Sequence, residues 1–179
     1  AGIITEPLFS AGGVIDLPSG WLKELQTRCH ERGMLLILDE AQTGLGKLGD
    51  MWGSDNEGVI PDIFTISKHF GGGIAISAVI TTEEIEYKVS ETGFVLGHSH
   101  SNDPLPSNAA IASIDIILEQ GLVDVAKRIG SYWRGHLQAL SDKYEIIGDI
   151  RGRGLLQGIE LVKDKTSREP AHAIGQAIA

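Results

Sequence analysis

The sequence predicts an α/β fold, in which a mostly parallel sheet with helices on both faces is followed by the start of an α+β domain. Three observations predict it. The unbroken apolar run at 34–38 is typical of a strand buried on both faces. The order strand, helix, strand over residues 2–38 indicates a parallel βαβ unit with a right-handed crossover. From Tyr144 onward, glycines recur among apolar residues, which is typical of a closely packed pair of strands.

Composition restricts the class of protein. The chain has 179 residues, enough to bury a sizeable core, and a formal net charge of -9. This acidic balance argues against nucleic acid or an anionic membrane surface as the main partner. No apolar run is long enough to cross a bilayer. The lone Cys29 cannot form an internal disulfide, so we expect a reducing compartment, the cytoplasm.

Local patterns define the first strands and the first helix. Residues 2–5 form a short apolar run, and the loop over 8–20 that follows contains a Gly-Gly turn. Ser19 is a candidate cap for a helix that ends at Gly33, because apolar side chains recur at helical spacing between them. The strand at 34–38 comes next.

The remaining elements alternate between strands and helices. After an irregular connection, the patterns predict strands at 63–67 and 74–82, a short helix from 82 to 90, helices at 107–119 and 122–141, and the glycine-rich strand pair. Gly121 separates the two longer helices. We therefore expect residues 1–120 to belong to a large α/β domain and residues 121–179 to be a connecting helix and the start of a small domain.

Both ends of the sequence lie within predicted secondary-structure elements. The chain opens within an apolar strand and stops where a helix begins. We therefore expect it to be a piece of a longer protein.

Two side chains with complementary chemistry follow neighbouring strands. Asp39 ends the first strand and Lys68 follows the next, just before three glycines. Open α/β sheets place ligands at the carboxyl ends of their strands. A lysine in a dry pocket favours the free amine, which bonds to carbonyls, and a carboxylate keeps a heteroaromatic nitrogen protonated. Alone, Lys68 could be a solvated surface residue and Asp39 a helix cap or an ion-pair partner; together they indicate pyridoxal phosphate chemistry.

The turn after Asp39 carries further polar groups. The amide of Gln42 could meet a ring oxygen or a substrate, or it could bond to nearby backbone. Glu40 should point away from Asp39, because successive side chains of a strand alternate between faces. The glycines at 44 and 46 lack the third glycine and the helix of a dinucleotide-binding loop.

A second polar stretch lies at 97–106. The spacing of His98, His100 and Asp103 is not that of a zinc site, and no cysteine is near. Serine hydroxyls and one carboxylate suit a phosphate or a hard alkali cation better.

Several motifs in fixed order resemble those of one family. LILDEAQTGLGKLG, PDIFTISKHFGGG, HSHSNDPLPSNAA and GDIRGRGLLQGIELV are similar to the motifs of the class III aminotransferases, a branch of the fold type I pyridoxal-phosphate enzymes. The resemblance covers essentially the whole chain and is greatest to the dialkylglycine decarboxylase branch. It implies that the chain is part of the large cofactor-binding domain followed by the beginning of the small C-terminal domain.

The resemblance implies a role for each matching residue. Lys68 matches the lysine that holds pyridoxal 5'-phosphate covalently and later moves the proton. Asp39 matches the acid that pairs with the pyridine nitrogen, and Gln42 matches the amide near the phenolic oxygen of the cofactor and the substrate carboxylate. Ser99 falls where the family has a threonine that reaches the cofactor phosphate across a dimer interface. Glu6 matches an acid that pairs with a substrate-selecting arginine in related aminotransferases.

The stretch before Pro104 distinguishes branches within this resemblance. Ordinary class III aminotransferases have a threonine and two glycines before Asn-Pro, whereas this chain has Ser-Asn-Asp-Pro, which favours the decarboxylase branch. Ser99, Ser101 and Asp103 fall where that branch binds an alkali cation, so K+ or Na+ is expected there.

The resemblance implies an activity with two alternatives. The expected reaction is decarboxylation-coupled transamination of a 2,2-dialkylglycine-type amino acid with a 2-oxo acid acceptor, in a homo-oligomer. Plain transamination of an ω-amino acid or amine is the alternative within enzymes. A non-catalytic module that only dimerises is the alternative outside them, because the family's phosphate loop and ring-stacking aromatic would precede residue 1 and its substrate-carboxylate arginine would follow residue 179.

Overall fold

The computed structural model describes residues 1–95, 97 and 99–178. The strands are β1 (Gly2–Thr5), β2 (Leu8–Phe9), β3 (Ile15–Asp16), β4 (Leu35–Asp39), β5 (Ile63–Ile66), β6 (Ala78–Thr81), β7 (Ile147–Arg153) and β8 (Leu156–Leu161). The helices are α1 (Trp21–Glu31), α2 (Glu83–Glu91), α3 (Pro104–Glu119), α4 (Leu122–Lys143) and α5 (His172–Ile178). Two single 3-10 turns, at Asp55–Glu57 and Lys68–Gly71, complete the regular structure described.

A four-stranded sheet forms the first part of the chain, in the order β1-β4-β5-β6. The first three strands are parallel, and β6 runs antiparallel to β5 at the edge. The predicted βαβ unit is therefore present as β1-α1-β4. The fold is a mixed α/β fold with a mostly parallel sheet, as the sequence predicts.

One face of the sheet carries most of its core. Leu38 lies opposite Phe64 in the register of β4 and β5, so both side chains lie on the same face as Leu36 and Ile66. Apolar side chains of α1, including Leu22, pack with those of β4, and α3 packs over β5 and β6. Burial of these apolar faces is what positions the sheet relative to the two helices.

The opposite face of the sheet carries the polar strand ends. The register pairs Asp39 with Thr65 and Thr65 with Val79, which places all three side chains on this face. Ile4 and Val79, on the two edge strands, are each 64% exposed. The strand β4 is thus fully buried on one face only, instead of on both as the apolar run suggests.

The second part of the chain is a hairpin packed on a long helix. The antiparallel pair β7-β8 lies against α4, and Leu137, Ile147 and Ile150 form its core. Arg134 of α4 donates to the carbonyls of Gly152 at 3.0 Å and Ile150 at 2.8 Å, which ties the helix to β7. The predicted domain boundary near residue 120 stays a prediction.

Helix starts differ from the sequence prediction in two places. The N-cap of α1 is Gly20, in a left-handed conformation and with no side-chain cap, so the prediction of a Ser19 cap is wrong. Helix α3 begins at Pro104 and not at 107, because proline fits the first helical position, where no amide hydrogen bond is required.

Strands also differ from the prediction in two places. The segment 74–82 forms a strand only over Ala78–Thr81, because β5 ends at Ile66 and its partner position is Ala78. The loop at 8–20 contains a short antiparallel ribbon, β2-β3. None of the helices in the described part of the chain combines the length and apolarity needed to cross a bilayer.

Candidate active site

Asp39 lies at the carboxyl end of β4, with its side chain braced from two sides. Its Oδ1 accepts a hydrogen bond from the Thr65 hydroxyl at 3.0 Å and another from the Ala41 amide at 3.0 Å. Among the described residues no hydrogen bond is made to Oδ2 of this carboxylate. The half-buried Asp39 side chain is therefore held in one orientation with one oxygen available.

Lys68 lies on the neighbouring strand end, three residues after Thr65. It opens the 3-10 turn Lys68–Gly71 with a φ of 56°, the left-handed region that a residue with a side chain seldom adopts. Such strained residues cluster at functional sites. The side chain is exposed, so the described residues do not form the dry pocket around this amine that the sequence pattern suggests.

The turn that starts at Lys68 is anchored on both sides. Phe70 is buried with Ala110 of α3, and a Cβ added at Gly72 would lie 2.8 Å from the Ser113 hydroxyl of the same helix. The glycines after Lys68 therefore allow close packing against α3. On the other side, Nε2 of His69 lies 2.9 Å from the carbonyl oxygen of Gly44.

Glu40 points into the protein, opposite to Asp39, as the sequence predicts. It is 2% exposed and accepts hydrogen bonds from the Thr43 hydroxyl and from the amides of Gly53 at 3.0 Å and Ser54 at 3.2 Å. Burial raises the pKa of the Glu40 carboxyl, and these hydrogen bonds oppose that rise. Glu40 thus clamps the turn after Asp39 to the loop at 53–54, and this turn carries the half-buried Gln42.

The polar stretch at 99–103 leads into α3, which packs on the Lys68 turn. Ser99 and Ser101 are exposed, and the carboxylate of Asp103 lies 3.5 Å from Nδ1 of His100. His98 lies outside the described residues. Within the described ranges, no group of three or more His, Cys, Asp or Glu residues could hold a metal ion. The alkali-cation site, built on serine hydroxyls, stays a prediction.

Two further charged residues, Glu6 and Arg153, bond to groups other than Asp39 and Lys68. Glu6 accepts hydrogen bonds from the amide and hydroxyl of Ser10, within its own loop. Arg153 of β7 lies 3.1 Å from the Asp16 carboxylate and donates to the Gly53 carbonyl at 3.3 Å. These contacts make Arg153 a connection between the hairpin, the β2-β3 ribbon and the loop that Glu40 clamps.

Two residues of the site are not identified by the sequence analysis. Thr65 braces Asp39, but this requires the register of β4 against β5, which an apolar pattern does not fix. His69 reaches a carbonyl 25 residues earlier in the chain. Its only signal in the sequence is its position next to Lys68.

The chain is similar to proteins of one known family. The family model described as aminotransferase class-III matches residues 1–178. An uncharacterized aminotransferase of Schizosaccharomyces pombe is 45% identical over 178 residues, which are 99% of this chain and 40% of that protein. A leucine/methionine racemase of Thermococcus litoralis is 38% identical over 174 residues, which are 96% of this chain and 38% of that protein.

A solved structure has the same fold. The taurine:2-oxoglutarate aminotransferase of Bifidobacterium kashiwanohense, in complex with PLP and glutamate, superimposes with a TM-score of 0.91 at 27% identity, over 98% of this chain and 41% of that one. The chain thus spans about two fifths of the length of these proteins. Because the family model matches nearly the whole length of this chain, the chain belongs to the class III aminotransferases.

Proposed function

We propose that the whole protein transfers an amino group between an amino acid and a 2-oxo acid, with pyridoxal 5'-phosphate bound covalently to Lys68. The observation that carries this proposal is the pairing of two strand ends, Asp39 on β4 and Lys68 just after β5. The family supports it, as does the PLP complex of the taurine:2-oxoglutarate aminotransferase.

The described side chains fit this cofactor. The carboxylate of Asp39 has one braced oxygen and, among the described residues, one oxygen without a hydrogen bond, which suits a pyridine nitrogen. The amine of Lys68 is exposed and can reach an aldehyde. When bound, the cofactor supplies an electron sink for the bond broken at the substrate Cα.

Each residue then has a defined task. The carboxylate of Asp39 holds the proton on the ring nitrogen, while Thr65 and the Ala41 amide fix its direction. Lys68 binds the cofactor through its amine and, once released, moves the proton at the substrate Cα. The amide of Gln42 donates to the ring oxygen. In a homo-oligomer, the hydroxyl of Ser99 would bind the phosphate group of the cofactor that the neighbouring subunit holds.

A second candidate reaction is decarboxylation coupled to this transfer. It is favoured by the Ser-Asn-Asp-Pro sequence at 101–104, with K+ or Na+ held by Ser99, Ser101 and Asp103. The 38% identity to a leucine/methionine racemase supports keeping more than one reaction in view. Plain transfer from an ω-amino acid or amine is the simpler form, in keeping with the taurine aminotransferase.

The cofactor proposal is tested by trapping the covalent link. The whole protein is incubated with pyridoxal phosphate, reduced with borohydride and analysed by peptide mass spectrometry. We expect an adduct on Lys68 that is lost in Lys68→Ala and retained in the control Lys88→Ala, which removes an exposed lysine of α2. Unsubstituted protein without an adduct would instead favour a non-catalytic, dimerising module.

The two reactions are separated by their product. The loaded protein is given 2-aminoisobutyrate and pyruvate, with and without K+, and released CO2 is measured. Release that depends on K+ supports the decarboxylase form with its cation site. Amino transfer from an ω-amino acid without any CO2 release supports plain transamination.

A further inference from the structure

We propose that His69 is a positioning residue for Lys68, because its ring holds the Lys68 turn to the carbonyl of Gly44. This inference rests on the proposed role of Lys68 as the lysine that binds the cofactor. It assigns to His69 a task that acts through the placement of Lys68.

The contact has the geometry of a hydrogen bond between distant parts of the chain. Nε2 of the half-buried His69 lies 2.9 Å from the oxygen of Gly44. A carbonyl oxygen only accepts, so Nε2 must carry the hydrogen. Gly44 itself has little freedom, since a Cβ at this position would lie 2.9 Å from the ring of Trp52. The acceptor is therefore a fixed point.

The Lys68 turn needs such a tether. Its φ of 56° is unfavourable for a residue with a side chain and persists only where the surroundings impose it. The buried side chain of Ile66 fixes the chain before the turn, and the buried side chain of Phe70 fixes the turn itself. Among the described residues, the His69 ring makes the one side-chain hydrogen bond between this turn and the segment that follows Asp39.

Together with Thr65, this bond closes a ring of contacts around the two reactive groups. Thr65 ties β5 to the Asp39 carboxylate at 3.0 Å. His69, four residues further on, ties the same segment to Gly44, five residues after Asp39. These two bonds thus fix the distance between the Lys68 backbone and the Asp39 carboxylate. Errors of about 1 Å in the placement of a reacting group cost on the order of a hundredfold in rate.

The test compares three variants of the whole protein, first while they are being loaded with pyridoxal phosphate and then after loading. His69→Ala removes the donor, and His69→Gln replaces it with an amide N–H that can still reach a carbonyl. His136→Ala, which removes an exposed histidine of α4, is the matched control. The readouts are the rate of formation of the borohydride-trapped adduct, kcat, KM for the amino donor, and the melting temperature.

Loss of one neutral hydrogen bond corresponds to about three- to tenfold in a rate or equilibrium. We expect His69→Ala to lower kcat and the rate of adduct formation by that factor with little change in KM, His69→Gln to restore most of the loss, and His136→Ala to match the unsubstituted protein. A lower melting temperature with unchanged kcat would show a purely structural role and overturn the inference. Equal loss in the alanine and glutamine variants would overturn it as well.

The two proposals fail in different ways. If the unsubstituted protein gives no trapped adduct, the proposed function fails, and this inference fails with it. If the adduct forms on Lys68 and His69→Ala loads and turns over as the unsubstituted protein does, only the inference fails.

Discussion

The two oxygens of the Asp39 carboxylate have different surroundings. Oδ1 accepts from Thr65 and from the Ala41 amide, and these two bonds set the plane of the group. The direction of Oδ2 follows from that plane. A charge with a fixed direction stabilises a partner more than a mobile one, because no reorganisation is needed when the partner binds.

Replacing Asp39 with asparagine should separate charge from shape. Asparagine keeps an oxygen that can accept from Thr65 and Ala41, so we expect the free energy of unfolding to change by about 0.5 kcal/mol or less. Loss of the negative charge should lower kcat/KM for amino transfer by about 10²- to 10³-fold, the usual cost of removing one preorganised electrostatic group. Urea unfolding and steady-state kinetics of the whole protein measure the two quantities.

Thr65→Val is the matched control for this variant. It keeps the charge and removes one donor, so we expect a loss of only about three- to tenfold. Amino transfer by Asp39→Asn at the rate of the unsubstituted protein would contradict the role of the charge.

At the level of residues, the sequence predicts which groups meet but not how they are held. Asp39 and Lys68 could be predicted as neighbours because parallel strands bring their carboxyl ends to one edge. The Thr65 brace depends on register, and the His69 bond depends on a turn whose left-handed first residue has no sequence signature. The exposure of Lys68 also differs from the expectation, since burial depends on every element around a residue.

Among the elements, helices α1 and α2 begin in different ways. The N-cap of α2 is Thr82, whose hydroxyl accepts from the Ile85 amide at 3.4 Å, as expected for a helix cap. The N-cap of α1 is Gly20, with a φ of 81° and no side-chain hydrogen bond. Ser19 therefore lies outside the helix. In the first turn of α1, the Lys23 amide donates instead to the Glu57 carboxylate at 3.2 Å.

Removal of each hydroxyl should show this difference. Thr82→Ala should lower the free energy of unfolding by about 1 kcal/mol, since it removes a cap. Ser19→Ala, the control, should change it by about 0.5 kcal/mol or less, as for a surface position without such a bond. Thermal or chemical unfolding of the whole protein gives both values. Equal losses in the two variants would contradict the assignment of Gly20 as the cap.

Elements with strong periodicity could be predicted well. The strands β4 and β5, the helix α4 and the β7-β8 hairpin lie within a few residues of their predicted positions. The short ribbon β2-β3 could not be predicted, because two residues per strand give no period to detect. The start of β6 at Ala78 could not be predicted either, because it is set by where the neighbouring strand β5 ends. This depends on strand pairing, and the sequence of β6 alone does not contain it.

At the scale of the described chain, a sheet part and a hairpin part are joined by direct backbone contact. A Cβ added at Gly130 of α4 would lie 2.4 Å from the carbonyl oxygen of Gly154, in the turn between β7 and β8. A Cβ at Gly154 would lie 2.4 Å from the backbone of Leu48, in the segment after Asp39. The Leu155 amide donates to the Lys47 carbonyl at 2.9 Å in the same region. The hairpin turn is thus wedged between α4 and the active-site segment.

Substitution of two glycines in α4 should test this joint. Gly130→Ala must displace backbone, so we expect a loss of about 1–3 kcal/mol in the free energy of unfolding, as for overpacking in a core. Gly135→Ala, in the same helix with nothing within 4 Å of its added Cβ, should gain about 0.5–1 kcal/mol from helix propensity. Unfolding of the two variants by denaturant measures both; a stabilised Gly130→Ala would contradict the close contact.

The arrangement of paired strands has a consequence for the order in which the chain folds. In the hairpin, the paired residues Arg153 and Leu156 are close in sequence. In the sheet, β1 pairs with β4 across a much longer sequence separation, with Gly2 opposite Leu35. Loop-closure entropy makes the longer closure costlier by about 2 kcal/mol. During synthesis, β1 is made before β4 yet pairs with it only after the crossover helix and β4 have emerged. The hairpin and α4 can therefore fold early as a local unit. Assembly of the sheet is slower, and it limits the rate at which the edge that carries Asp39 and Lys68 forms.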